Sequence, residues 1–404
     1  MATTLSPAGR DARIIGIISV GHLFSHFYQL ALPSMFPLMT VDMGLSYSQL
    51  GIVAAAFYVA SGLSQTPAGF LVDRIGARPV LFGGLGLLAA SVALMGFAPN
   101  YPVLILLAML AGLGNSVFHP ADYSLMNSAV SAERMGRAYS AHSIAGHIGF
   151  ALAPPVMILI GTTVGWRSAI LAAGLVGVVL VLGLIAGREA LQDGHRERRE
   201  AAADAPDEAP KGAGILMQPT IILFFLFFLT MAAGLIGLQG FTAAALASSA
   251  GLDLAAASAA VTCFLVGVPA GVFFGGIVAD RNPASHDAIA FGGLTAGALA
   301  LLPVSLLMPG SWALFGLFLA AGLFFGISLP SRDLVIRAAA PKGAMGRVFG
   351  FVYSGLDAGC ALAPPLFGLF IDLGLGRWIF LLAAGFIFVS ALLIRFSHRR
   401  AHRP

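Results

Sequence analysis

Residues 135–155, MGRAYSAHSIAGHIGFALAPP, return at 345–365 as MGRVFGFVYSGLDAGCALAPP, at a constant offset of 210. The same offset aligns AGLGNSVFHP (111–120) with AGLFFGISLP (321–330). The shared Ala-Gly-Leu, Pro, Met-Gly-Arg and Ala-Leu-Ala-Pro-Pro positions keep one register, so the chain reads as two copies of one unit. Both copies are apolar over lengths that a bilayer explains. Crossing about 30 Å of hydrocarbon takes roughly 20 apolar residues. Twelve such runs occur, at 13–40, 48–72, 79–97, 101–130, 136–160, 167–187, 219–247, 254–279, 288–308, 311–337, 346–371 and 378–395. The first run is far longer than the about 7–15 residues of a signal core and is expected to stay as a helix.

Composition agrees. Of 404 residues, 58% are hydrophobic and 10% charged, whereas soluble domains carry about 25% charged residues. The mean hydropathy is +0.91, and the 50 glycines suit helices packed closely in lipid. A net charge of +4 with a pI near 9.3 could suggest nucleic acid. The basic residues, however, sit in short loops and at the chain ends with no aromatic interleaving, so no nucleic-acid partner is expected. Cys263 and Cys360 lie in apolar runs without CxxC or zinc spacing, which implies neither a disulfide framework nor a structural metal.

With both termini cytoplasmic, 19 of the 22 Lys and Arg residues fall on the inner side, Arg167 and Arg377 outside, and Arg332 within a helix. That asymmetry sets the orientation. Residues 188–218 carry 12 charged residues among Ala and Pro, too polar for lipid and too mixed for a core. The expected organisation is therefore a six-helix bundle over 1–187, a cytoplasmic linker over 188–218, and a second six-helix bundle over 219–404. Two repeats about an axis along the membrane normal are a transporter architecture.

The loop after the second run reads Gly69-Phe-Leu-Val-Asp73-Arg74-Ile-Gly76-Ala-Arg78, and the loop after the eighth keeps Gly276-Ile-Val-Ala-Asp280-Arg281. This resembles the cytoplasmic signature loop of the major facilitator superfamily, complete in the first half and shortened in the second. The resemblance implies an all-α membrane protein of twelve transmembrane helices in two pseudo-symmetric bundles. It also implies that Gly69, Asp73, Arg74, Gly76, Arg78, Asp280 and Arg281 act as a gating loop, whose ion pairs and helix-end contacts break as access alternates. Gly21-His22-Leu-Phe-Ser-His26-Phe-Tyr-Gln29 and Asn115-Ser-Val-Phe118-His119-Pro120 resemble the fosmidomycin-resistance branch. That branch implies proton-driven export of small polar or anionic compounds. The two Ala-Pro-Pro sites resemble a degenerate form of the superfamily's antiporter motif, without the glycines expected after the proline.

Ionisable side chains are costly in lipid and face an interior or a water-filled path. Runs three, six, nine and twelve contain none inside their terminal residues, whereas His22, His26, His119, Asp122, His142, His147, Arg332, Asp333 and Asp357 fall in runs one, four, five, ten and eleven. The superfamily resemblance implies that runs one, four, seven and ten line the cavity. His22, His26, Gln29 and Pro33 fall at i, i+4, i+7 and i+11, as do Asn115, His119, Asp122 and Met126, and Tyr353, Asp357, Cys360 and Pro364, so each set forms one stripe.

Substrate binding is expected at His22, His26, Gln29, Asn115, His119, Asp122, Gln239, Arg332 and Tyr353. Proton coupling is expected at Asp357 and His147, which are repeat-equivalent and about 14–15 Å deep by helical rise. The i, i+4 pair His22 and His26 could instead hold a transition metal, but the sequence offers no clear third ligand. No HExxH or other nucleophile and base set is present, so no enzyme, metal or cofactor is expected. The expected partners are a small organic solute, anionic or zwitterionic, protons and the lipid bilayer. Residence in a bacterial inner membrane as a monomer is expected. Uptake of an organic acid and export of cationic drugs are the alternatives.

Overall fold

The computed structural model describes residues 7–131, 134–186, 217–282, 285–339 and 345–401. The expected linker lies outside the described residues up to residue 216, as do the side chains of Asp73 and Asp280. The first half contains α1 (Pro7–Met43), α2 (Tyr47–Ile75), α3 (Ala77–Met95), α4 (Tyr101–Asn115), α5 (Phe118–Ala129), α6 (Met135–Val164) and α7 (Trp166–Ala186). The second contains α8 (Pro219–Ala250), α9 (Leu254–Arg281), α10 (His286–Leu307), α11 (Ser311–Ala339), α12 (Met345–Asp372) and α13 (Ile379–Ala401). Among the described residues eleven spans are long and apolar enough to cross a membrane, α4 and α5 counting as one span, and the 29-residue α2 is a twelfth helix of comparable length. The chain is an all-helical, multi-pass membrane protein.

The fourth run, expected as one helix over 101–130, is interrupted at Ser116 and Val117. Pro120 has no N–H to offer the carbonyl four residues back, and its ring crowds that position. Ser116 turns its hydroxyl back to Leu113 O at 2.7 Å, and the ladder restarts with Ala121 N to Val117 O at 2.9 Å. The equivalent Pro330 stays within the continuous α11.

The chain divides into two compact units, Met1–Met35 with Ala56–Pro206, and Phe36–Ala55 with Asp207–Pro404. In the first, α3 packs on α4 and α7; in the second, α9 packs on α11, and α8 on α12 and α13. The duplication extends to backbone contacts. A Cβ on Gly112 would strike the Phe57 carbonyl oxygen, and one on Gly322 would strike that of Phe264. Gly149 meets the Leu23 carbonyl and Gly359 the Leu229 carbonyl in the same way. Such approaches maximise dispersion contact where lipid supplies no hydrophobic drive.

Two arginines, one in each half, also correspond. Arg167 donates to Ala98 O at 2.8 Å, just beyond the end of α3. Arg377 donates to Ser305 O at 2.9 Å and Leu306 O at 2.7 Å in the last turn of α10. Each guanidinium lies near an adjoining tryptophan, Trp166 or Trp378. A cation satisfying C-terminal carbonyls opposes the helix dipole, which accounts for two basic residues on the side that otherwise has few.

Two carboxylates make further closures. In the first unit, Asp11 of α1 accepts from Ser131 Oγ at 2.6 Å and Arg134 Nε at 2.9 Å. In the second, Asp372 at the end of α12 accepts from the backbone N–H of Tyr47 at 2.7 Å and Ser48 at 2.8 Å, capping the first turn of α2. Between α2 and α3 the chain turns at Gly76, whose φ of 95° favours glycine. This is the centre of the expected gating loop: Arg74 and Arg281 are exposed in the last turns of α2 and α9, and Arg78 is half-buried.

Candidate functional site

The first unit gathers four histidines and an aspartate into one group. His22 and His26 are one turn apart on α1, His119 and Asp122 lie on α5, and His142 lies on α6. Asp122 is fully buried, with His22 and His142 5% and 3% exposed. His142 Nε2 hydrogen-bonds Asp122 Oδ2 at 3.0 Å, while His22 Nδ1 stands 3.6 Å from that oxygen. The rings of His22 and His142 stack with centroids 3.6 Å apart, and His26 and His119 follow at 4.4 and 5.8 Å from His22. Gly146 of α6 makes this possible, because a Cβ there would stand 3.0 Å from the His22 ring and 3.3 Å from that of His26. His22 Nδ1, His26 Nδ1 and Asp122 Oδ1 are buried without a hydrogen-bond partner among the described residues.

Neighbouring polar groups are better satisfied. Ser25 Oγ donates to Asn115 Oδ1 at 2.8 Å, and Asn115 Nδ2 donates to Ser61 Oγ at 3.0 Å, joining α1, α4 and α2. Gln29 is half-buried on α1. His147, half-buried on α6, places Nδ1 2.8 Å from the carbonyl of Ser143 on its own helix.

The second unit is built differently. Arg332 of α11 has a side chain 12% exposed and pairs with Asp333, which is 48% exposed, at 2.8 Å. Its other contacts are soft: Met231 Sδ lies 3.5 Å from one terminal nitrogen and the Phe228 ring centroid 5.2 Å from the guanidinium carbon. Tyr353 of α12 packs on Phe228 at 4.6 Å. Asp357, one turn further along α12, is half-buried and makes no hydrogen bond or ion pair among the described residues. Gln239 is buried on α8.

The shared glycine contacts place α1 and α8 at an offset of 206, so His22 corresponds to Phe228 and Ser25 to Met231. Asp122 corresponds to Arg332 at the offset of 210. One pair of structural positions thus holds a carboxylate beside imidazole in the first half and a guanidinium beside phenyl in the second. Arg332 takes Asp333 as its partner. His142, not among the expected site residues, joins the group in the first unit. Its signal was available: His142, Gly146 and Gly149 fall at i, i+4 and i+7, the periodicity that marks the other stripes. In the first unit, the donor atoms of His22, Asp122 and His142 lie within 4.8 Å of one another, a possible metal-ligand set.

Among solved structures, a crystal structure of a bacterial homolog to the human lysosomal transporter Spinster superposes with a TM-score of 0.75. The likeness covers 98% of both chains at 14% identity, which speaks to the fold. The Fosmidomycin resistance protein of Escherichia coli (strain K12) is 25% identical over 383 residues, covering 92% of this chain and 89% of that one. The Chloramphenicol resistance protein of Streptomyces lividans is 26% identical over 378 residues, 92% of each chain. The Major Facilitator Superfamily profile matches residues 18–242 and again 222–404, once for each half of the duplicated fold. A twelve-span chain whose two copies each match that profile is a membrane transporter and not an enzyme, and it belongs to the Major Facilitator Superfamily.

Proposed function

We propose that this transporter exports a small organic anion or zwitterion in exchange for protons. The observation that carries the substrate class is Arg332. Its guanidinium is largely withdrawn from solvent, yet its only carboxylate partner, among the described residues, is half-exposed Asp333, and it also rests against a thioether and an aromatic face. A planar fork with donors directed at such weak acceptors suits a carboxylate or phosphonate group. Tyr353 adds a phenol near the same ring.

Proton coupling is assigned to Asp357, whose half-buried carboxyl lacks a counter-ion among the described residues, with His147 as its partner in the cycle. Export is supported by the resistance functions in the names of the two relatives. Asp73, Arg74, Arg78, Asp280 and Arg281 are assigned to the switch between access states. The chain works as a monomer in a bacterial inner membrane with both termini cytoplasmic, an orientation supported by the distribution of Lys and Arg.

Proteoliposomes with an imposed pH gradient test this reading. A panel of carboxylates, phosphonates and permanent cations should yield gradient-driven movement of an anion that collapses with a protonophore. Movement of a permanent cation, unaffected by Arg332→Ala and lost in Asp357→Asn, would reverse the substrate assignment.

A further inference from the structure

The group around Asp122 has a capacity that carrying an organic anion does not require. We infer that His22, Asp122 and His142 form a binding site for a divalent first-row transition-metal ion of the zinc, cobalt or nickel class. Three helices bring the donors together, and their ligand atoms lie within 4.8 Å of one another. Two of the separations are 3.0 and 3.6 Å. A tetrahedral ion with bonds of about 2.0–2.1 Å requires ligand atoms about 3.4 Å apart, so the spacing is already near what an ion would impose. Imidazole with carboxylate suits these metals, whereas Mg²⁺ and Ca²⁺ prefer sites built of oxygen alone.

The second observation is the set of unsatisfied atoms. His22 Nδ1 and Asp122 Oδ1 belong to residues 5% and 0% exposed, and neither has a hydrogen-bond partner among the described residues. A buried polar atom left so is costly, and a ligand in the group relieves it. One adjustment is needed. The His22 and His142 rings stack at 22°, so one ion cannot lie in both ring planes. His22 Nδ1 makes no hydrogen bond among the described residues, so His22 is the ring that turns, and the ion takes the place of the proton that His142 Nε2 shares with Asp122 Oδ2. His26 and His119 stand close enough to supply a fourth ligand after small rotations. His119 is exposed and stacks on Tyr123, which is 41% exposed, and this edge gives the ion its way in.

The test uses the purified full chain, treated with chelator and titrated with Co²⁺. Visible ligand-field bands should saturate at one ion per chain, be displaced by Zn²⁺ and resist Mg²⁺. Loss of a ligand should weaken Co²⁺ binding by at least about 100-fold, the upper end for disturbing even an outer-shell group. Asp122→Asn, His142→Phe and the near-isosteric His22→Gln should each do so, and His286→Gln on α10 should not. Zn²⁺ should raise the thermal transition of the parent chain and not that of the three variants. Absence of bands in the parent chain, or bands unchanged in every folded variant, would overturn the site and leave the group holding protons alone. None of these readouts depends on transport.

Discussion

The two halves agree where backbone meets backbone and disagree where side chains meet charge. Gly112 and Gly149 contact the same carbonyl positions as Gly322 and Gly359, and Arg167 clasps helix-end carbonyls much as Arg377 does. Yet Asp122 stands where the second copy has Arg332, and His22 where it has Phe228. The frame is symmetric because contact at a bare Cα tolerates no other residue. The polar positions are free to specialise, since the frame does not depend on them.

The sharpest test of that division is Asp357→Asn. If proton coupling belongs to the second half, accumulation driven by a pH gradient should fall to background while counterflow, which needs no net proton movement, persists. Full gradient-driven transport by this variant would remove Asp357 from the cycle.

The symmetry of the frame predicts that Gly149→Val and Gly359→Val are comparably disruptive. Each places two branches against a carbonyl that even Cβ cannot approach, and overpacking costs about 1–3 kcal/mol or more. Thermal unfolding in detergent should show similar drops. A tolerated change in one half alone would break the equivalence.

Arg332→Ala should weaken binding of an anionic solute by about 1–3 kcal/mol, as expected for a lost charge-assisted hydrogen bond. Equilibrium binding measures it directly, and unchanged affinity would move the anion elsewhere. The smallest effect concerns the two helix-end arginines. Arg167→Ala and Arg377→Ala should each lower stability by about 1 kcal/mol through the loss of helix-end bonds, with no change in solute affinity. A shift in affinity for either would give that arginine a role beyond the frame.

The periodic runs made the spans, and the 210 offset made the duplication, legible without coordinates. Pro120 was visible too, but its twin Pro330 leaves α11 unbroken, so proline alone did not determine whether a helix would divide. The stripes placed His22, His26, His119 and Asp122 on common faces. They could not say that His142 would reach Asp122, because that depends on how closely α6 approaches α1, and Gly146 sets that distance. The opposition of Asp122 and Arg332 was also within reach. It was missed because a repeat is found by looking for what matches.

The cap on α2 bears on how the protein is made. Tyr47 and Ser48 emerge from the ribosome 325 and 324 residues before the carboxylate that receives their N–H groups. Synthesis at about 5–20 residues per second means that α2 waits many seconds for Asp372. In the interval the local pair of Ser46 and Gln49 caps the turn, Gln49 N donating to Ser46 Oγ at 3.2 Å and Ser46 N to Gln49 Oε1 at 2.9 Å, while the N–H groups of Tyr47 and Ser48 must rely on water or lipid headgroups. The nascent protein therefore holds this turn by a local cap first and acquires the distant one only when its eleventh span has been translated, so a chain truncated before Asp372 would leave two N–H groups of α2 without their carboxylate.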